Sequence, residues 1–192
     1  MVVHVIRRLN MKILIISSSP RKGGNSELLA RAFAQGLQQN GHVVTMISAG
    51  HMKINGCLAC EQCYAEPDAP CVQKDDFWKI YPMLLAADMV VLVSPLYFFN
   101  MTTQLKAVID RMYAFCRGHQ TMPLAGKKSV LLMTGASSDL KDFLPAIDSY
   151  KLTADYLKWQ DKGVFIASDV WKKDDILGSG WLEQVLAFGQ SL

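Results

Sequence analysis

Short apolar runs alternate along this chain with longer stretches in which apolar residues return every three or four positions. That alternation predicts a parallel sheet assembled from strand–helix–strand units. The first run, Lys12 to Ile16, leads through a polar loop into a stripe of Leu28, Leu29, Ala32, Phe33 and Leu37, which predicts a helix from near Ser26 to Gln39, ended by Asn40-Gly41. His42 to Ile47 alternates in part and reads as a second strand. Met89 to Val93 (MVVLV) is apolar without a break, as expected of a central strand covered on both faces. Ser129 to Met133 and Gly163 to Ala167 supply the fourth and fifth strands. Further helices are predicted over Asp76 to Ala86, where Pro82 is expected to produce a kink, over Thr103 to Phe115, near Leu140 to Trp159, and over Gly180 to Gln190.

In an open sheet of this kind, ligands bind outside the carboxyl ends of the strands. Three loops on that edge are unusual for mere connections. The first, Ser17 to Ser26 (SSSPRKGGNS), sets hydroxyls, two glycines and Arg21 directly before a helix. Loop N–H groups and the positive end of a new helix converge on an anion there, and Arg21 adds a charge-assisted donor. Neither G-x-x-x-x-G-K-[ST] nor G-x-G-x-x-G is present, so a terminal monophosphate suits this loop better than a pyrophosphate. A polar surface turn is the competing reading. The second loop, Ser94 to Met101 (SPLYFFNM), places Tyr97, Phe98 and Phe99 between Pro95 and Asn100. These rings suit the wall of a pocket for a flat aromatic ligand, or a face between subunits, and the two roles are compatible. The third, Thr134 to Ser138 (TGASS), is small enough to let a ring edge approach backbone donors.

Composition narrows the class. The 192 residues suit one domain, and 51% hydrophobic content suits a packed core. A net charge of +3, with no basic run interleaved with aromatics, argues against a nucleic-acid partner. The longest apolar run is far short of a membrane span, so no membrane association is expected and a cytoplasmic location is. Residues 1–10 read as an extension ahead of Met11, with a single domain over 11–192.

Four cysteines, Cys57, Cys60, Cys63 and Cys71, follow the spacing C-x2-C-x2-C-x7-C, with Cys116 apart as a packing residue. Thiols so close together in a cytoplasmic protein point to metal or redox ligands rather than structural disulfides. The spacing is near that of the bacterial [4Fe–4S] run, although the last interval is longer, whereas zinc favours paired knuckles. Free thiols, a cluster, zinc and a redox disulfide all stay open at this point. His4, His42, His51 and His119 show no pairing that suggests acid–base work. Lys106, Asp110 and Arg111, at helical spacing, are expected to be structural.

Taken together, SSSPRKGGNS, the cysteine loop leading into Asp75-Asp76-Phe77, and SPLYFFNMTTQLKAVIDR resemble the flavodoxin-like NAD(P)H-dependent FMN reductase family over about Met11 to Met133. Ser18 stands where that family commonly has glycine. The resemblance implies an α/β flavodoxin-like three-layer sandwich, a five-stranded parallel sheet of order 2-1-3-4-5 with helices on both faces. It implies FMN, with the phosphate on Ser19, Arg21, Asn25 and Ser26. The rest of the flavin would lie against Pro95, Leu96, Tyr97, Phe98 and Asn100, with Gly135 near the pyrimidine edge. Hydride would pass from NAD(P)H through the flavin to a small acceptor (a flavin, a quinone or a nitroaromatic), with no catalytic side chain required and a homodimer or higher oligomer expected. The cysteine loop also resembles that of iron–sulfur flavoproteins, which implies a [4Fe–4S] cluster on Cys57, Cys60, Cys63 and Cys71 and an electron-carrier role as the alternative.

Overall fold

A computed structural model of the chain describes residues 10–64, 71–116 and 122–192. Except for Asn10, the expected extension lies outside the described residues, as do His4 and His119. The strands are β1 (Lys12–Ser17), β2 (Val43–Ser48), β3 (Met89–Pro95), β4 (Lys128–Thr134) and β5 (Gln160–Ala167). The helices are α1 (Asn25–Gln39), α2 (Phe77–Ala86), α3 (Thr103–Arg111), α4 (Leu144–Tyr156) and α5 (Trp181–Gln190). A 3-10 turn over Met112–Phe115 prolongs α3, and another over Leu140–Phe143 leads into α4.

All strand pairs are parallel, in the order β2-β1-β3-β4-β5. The flavodoxin-like sandwich expected from the sequence is the fold observed. Successive strand residues point to opposite faces, so the continuous apolar strands feed two separate cores. Leu14, Ile16, Val90, Leu92, Leu131 and Met133 pack under α2, α3 and α4. Ile13, Ile15, Val91, Val93, Val130 and Leu132 pack under α1 and α5. The strand order reverses between β1 and β3, so the connections leaving their carboxyl ends diverge and open a crevice.

β5 begins earlier than its apolar pattern, at Gln160, because an edge strand can pair through polar residues. Its register against β4 shifts between Ser129 and Leu131. Gly163, with φ +135°, takes up the irregularity, and its N–H donates to Asp161 Oδ1 at 2.9 Å. The same carboxylate oxygen accepts from Tyr150 Oη at 2.8 Å, and Tyr150 also bonds Ser129 Oγ at 2.8 Å. Burial pushes the Tyr150 phenol well above its ordinary range, so it stays a neutral donor. α2 runs through Pro82 as one helix, since Phe77, Ile80, Tyr81 and Leu84 bury its inner face while Pro82 is on the exposed side. No helix among the described residues is long and apolar enough to cross a membrane.

The first and last helices touch backbone to backbone. A Cβ on Gly36 would lie 2.2 Å from the Leu186 carbonyl oxygen, and one on Gly189 would lie 2.6 Å from that of Phe33. The Phe33 and Phe188 rings pack beside this contact, 5.4 Å between centroids. Alanine at either glycine must force α1 and α5 apart. Gly36→Ala is therefore expected to destabilise the fold by about 1–3 kcal/mol, read as a lower urea midpoint at unchanged m-value.

Candidate functional site

A cavity of ≈ 390 Å³ opens at the crevice. Its wall includes Ser19, Arg21, Asn25 and Ser26 from the first loop, Pro95 to Phe98 from the second, and Gly135 from the third. Gly24 starts α1 without a capping side-chain hydrogen bond. The first N–H groups of a helix have no partner within it, and Asn25 and Ser26, the first two residues of α1, line the cavity. Around them the loop is tightly held. Ser26 Oγ lies 2.7 Å from Thr134 Oγ1, joining the start of α1 to the end of β4. Ser19 Oγ accepts from Arg21 N–H at 3.2 Å, and Gly23, at φ +61°, makes the turn.

Ser18, the departure from the glycine of the resembled pattern, is fully buried and bonded. Its hydroxyl donates to the Val93 carbonyl at 2.9 Å and accepts from Thr102 Oγ1 at 2.8 Å. Thr102 in turn caps α3, accepting from Leu105 N–H at 3.3 Å. One hydroxyl chain thus couples the phosphate loop, β3 and α3.

The aromatic loop is a two-residue hairpin. Tyr97 N–H donates to the Asn100 carbonyl at 2.9 Å, and Asn100 N–H returns the bond at 3.0 Å. Phe98 and Phe99 both sit in the left-handed region, at φ +45° and +62°. Asn-Gly usually fills such a turn, and bulky residues there cost about 1–3 kcal/mol each. Phe98 is 99% exposed at the cavity mouth. Asn100 does not line the cavity; its Oδ1 accepts from Met101 N–H at 2.8 Å and closes the turn. Gly135 lines the cavity, but its N–H donates to the Ala167 carbonyl and its own carbonyl accepts from Val170. A Cβ there would lie 2.6 Å from Phe143 Cζ, so only glycine leaves the wall this thin.

The segment after β5 supplies residues with no motif in the sequence. Val170 and Trp171 line the cavity, and Trp171 is 69% exposed opposite the hairpin. The Trp171 carbonyl accepts from Arg21 Nη1 at 3.1 Å, and the Lys172 carbonyl accepts from Asn25 Nδ2 at 2.8 Å. Their signal was positional: a tryptophan in a polar loop leaving a strand at the ligand-binding edge.

Electrostatically, the Glu27 carboxylate folds back over the loop. The Arg31 guanidinium at 2.7 Å, then the Gly23 N–H at 2.8 Å, hold its pKa below the ordinary 4.5 against the opposing effect of burial. Behind the loop, Gly50 permits direct backbone contact, for a Cβ on it would lie 2.2 Å from the Ser19 carbonyl oxygen. The donors, hydroxyls and aromatic wall fit FMN: an anion cradle beside a slot of small-molecule size walled by Pro95, Leu96, Tyr97 and Phe98.

The cysteines lie elsewhere: Cys57 and Cys60 precede a 3-10 turn over Gln62–Tyr64 that contains Cys63, and Cys71 precedes α2. Cys57 and Cys60 are exposed, Cys63 and Cys71 half-buried, and all are free. Ala59 and Glu61, between them, adopt left-handed φ values of +51° and +58°, and Ala59 N–H donates to Cys57 Sγ at 3.4 Å. Burial, then the proximity of Cys71, Cys57 and Cys60, pushes the Cys63 thiol up. The donor set, with an N–H turned to sulfur, suits a cluster. The side chains are not drawn together: among the described residues no three His, Cys, Asp or Glu groups form a metal site.

Residues 11–144 match the family model of NADPH-dependent FMN reductases. The chain belongs to this family. It is also 37% identical over 110 residues to an iron-sulfur flavoprotein of Archaeoglobus fulgidus, covering 57% of this chain and 48% of that protein. An iron-sulfur flavoprotein of Methanocaldococcus jannaschii is 34% identical over 127 residues, covering 66% and 63%. The chain thus spans less than two thirds of the length of either relative. In fold, it is similar to an NAD(P)H:quinone oxidoreductase from Methanothermobacter marburgensis, with TM-score 0.76, 18% identity and coverage of 95% and 96%. An FMN-dependent NADH-azoreductase from Bacillus anthracis, solved with FMN, aligns with TM-score 0.66 and 16% identity over 94% of this chain and 98% of that one.

Two outcomes follow from this geometry. Gly50→Ala must displace Ser19, and FMN affinity, followed by flavin fluorescence titration, is expected to fall roughly tenfold, the counterpart of about 1–3 kcal/mol of overpacking. Glu27 has a depressed folded-state pKa, so its stabilisation is complete above 4.5 and is lost as pH falls through that lower value. Urea midpoints between pH 6 and pH 3 should drop more steeply in the parent than in Glu27→Gln; parallel profiles would refute this.

Proposed function

We propose that this protein is an FMN-dependent oxidoreductase that takes hydride from NAD(P)H and passes it to a small acceptor, a flavin, a quinone or a nitroaromatic. One observation carries the proposal: the uncapped amino end of α1 and the Tyr97–Asn100 hairpin share a single cavity. When bound, the flavin supplies the hydride chemistry. The chain's own residues bind and orient. Ser19 and Ser26 hydroxyls, the Arg21 guanidinium and the first N–H groups of α1 hold the phosphate. Pro95, Leu96 and Tyr97 form one side of the slot, and the bare backbone at Gly135 lets a ring edge come close. Phe98 and Trp171 flank the mouth, where a second planar ring can lie and displace water. Hydride transfer between rings needs no proton-transferring side chain. The exposed Phe98 also suits a homodimer in which the hairpins meet a partner subunit.

The test is spectroscopic. Anaerobic protein loaded with FMN should lose its flavin absorption on adding NADPH or NADH and regain it with a quinone. Retention of the flavin with no bleaching by either nucleotide would overturn the reductase. Arg21→Ala removes a charge-assisted bond of roughly 1.5–3 kcal/mol, so FMN affinity should fall about 10- to 100-fold.

A second reading, an electron carrier with a cluster on Cys57, Cys60, Cys63 and Cys71, is favoured by the names of the two relatives above and by the Ala59 N–H directed at Cys57 Sγ. It requires stoichiometric iron and acid-labile sulfide in protein purified without oxygen; absence of both would remove it.

A further inference from the structure

Cys57 and Cys71 are well separated in sequence, yet the residues flanking them are fastened to one buried side chain. Arg111, at the end of α3, has a side chain only 1% exposed. Its Nη1 donates to Asp75 Oδ2 at 2.5 Å and lies 3.5 Å from the Asn55 carbonyl oxygen. Its Nη2 donates to the Gln73 carbonyl at 3.2 Å, and the guanidinium carbon lies 4.4 Å from the centre of the Phe77 ring. Asp75 completes the joint, accepting from Asn55 N–H at 2.9 Å and from Phe77 N–H at 3.1 Å. Two peripheral bonds reinforce it. Gln73 Nε2 donates to the Gly56 carbonyl at 2.9 Å, and Trp78 Nε1 is shared between the Cys71 and Gln73 carbonyls at 3.1 and 3.0 Å.

These bonds join the chain immediately before Cys57 to the chain immediately after Cys71. A planar fork reaching two backbone strands at once is a task for arginine that lysine cannot perform. We propose that Arg111 is a positioning residue for the cysteine site: it holds the flanks of Cys57 and Cys71 together so that both thiols address one soft metal centre. The proposal rests on the second reading above for the identity of the bound group, but the clamp itself is a property of the chain. Arg111 belongs to the same helix whose capping Thr102 bonds Ser18 in the phosphate loop, so α3 positions the flavin cavity with one end and the thiols with the other.

The test uses the full chain with FMN and with Cys60, Cys63 and Cys116 replaced by Ser, leaving only Cys57 and Cys71. In a glutathione buffer, these two thiols give up two electrons and two protons to one oxidised glutathione. One protein disulfide forms, the glutathione disulfide breaks, and two reduced glutathione molecules are released. The equilibrium constant measures the effective concentration of one thiol at the other. Arg111→Met should lower it at least tenfold, and Gln73→Ala, on the exposed side of the clamp, about threefold without moving the urea midpoint. Arg111→Lys should recover the midpoint but not the effective concentration, a split that a merely stabilising arginine would not produce. Constants equal to the parent in Gln73→Ala and Arg111→Lys would overturn the proposal even where Arg111→Met fails to fold. Iron and sulfide analysis of the unaltered chain separates the two ideas. A clamped thiol pair without iron refutes the cluster and keeps the clamp, whereas iron with an Arg111-independent thiol pair does the reverse.

Discussion

α1 begins on a glycine that offers its first N–H groups no side-chain acceptor. Buried donors left in that state are costly, and a helix start of this kind is stable only beside water or an anion. Much of the carboxyl edge of the sheet is organised around it. Ser26 is tied to β4, Asn25 and Arg21 are tied to carbonyls of the segment after β5, and Gly50 packs directly behind Ser19. Because these braces come from three separate chain segments, the cradle is held in shape by the fold itself. A preformed site loses less conformational freedom on binding.

Legibility in the sequence followed the strength of local patterns. MVVLV over Met89 to Val93 is buried on both faces as read, and the helix positions follow from the same alternation, whereas the strand order came only from the family resemblance. The polar start of β5, Gln160 to Lys162, carried no apolar signal because it is an edge held by backbone pairing. At the cavity, residues within a recognisable loop were legible, but roles set by tertiary contact were not. Asn100 spends its amide oxygen on Met101 N–H, which no spacing rule reports. Trp171 lies on a segment without a motif and reaches the cavity only because β5 ends at the same edge. Gly50 looks like an ordinary turn glycine until the Ser19 carbonyl is found against it. Ser18 departs from the family pattern, and its hydroxyl is absorbed by Val93 and Thr102.

The two chemical regions of the molecule differ in how they are held. The flavin cradle is backbone-rich, defined by close approaches at glycines and by buried hydroxyls. The cysteine segment is anchored by a buried ion pair, Arg111 with Asp75, in which burial raises the carboxyl and the Asn55 N–H and the guanidinium outweigh it, leaving its pKa lowered. Such a pair adds little net stability but is strongly destabilising when broken, which favours a defined geometry over a merely tight one. The left-handed residues Ala59 and Glu61 show the same preference for shape at the expense of local comfort.

The glycine contact between α1 and α5 has a consequence for how the protein is made. Its partners are the first and last helices described, so about 150 residues of synthesis separate Gly36 from the Leu186 it meets. The Lys172 carbonyl that secures Asn25 emerges at almost the same late moment. Chain segments this far apart associate slowly, and until they do the phosphate loop lacks its outer brace. The phosphate loop thus takes its final shape only after the segment beyond β5 has packed, well after the loop's own residues have been made.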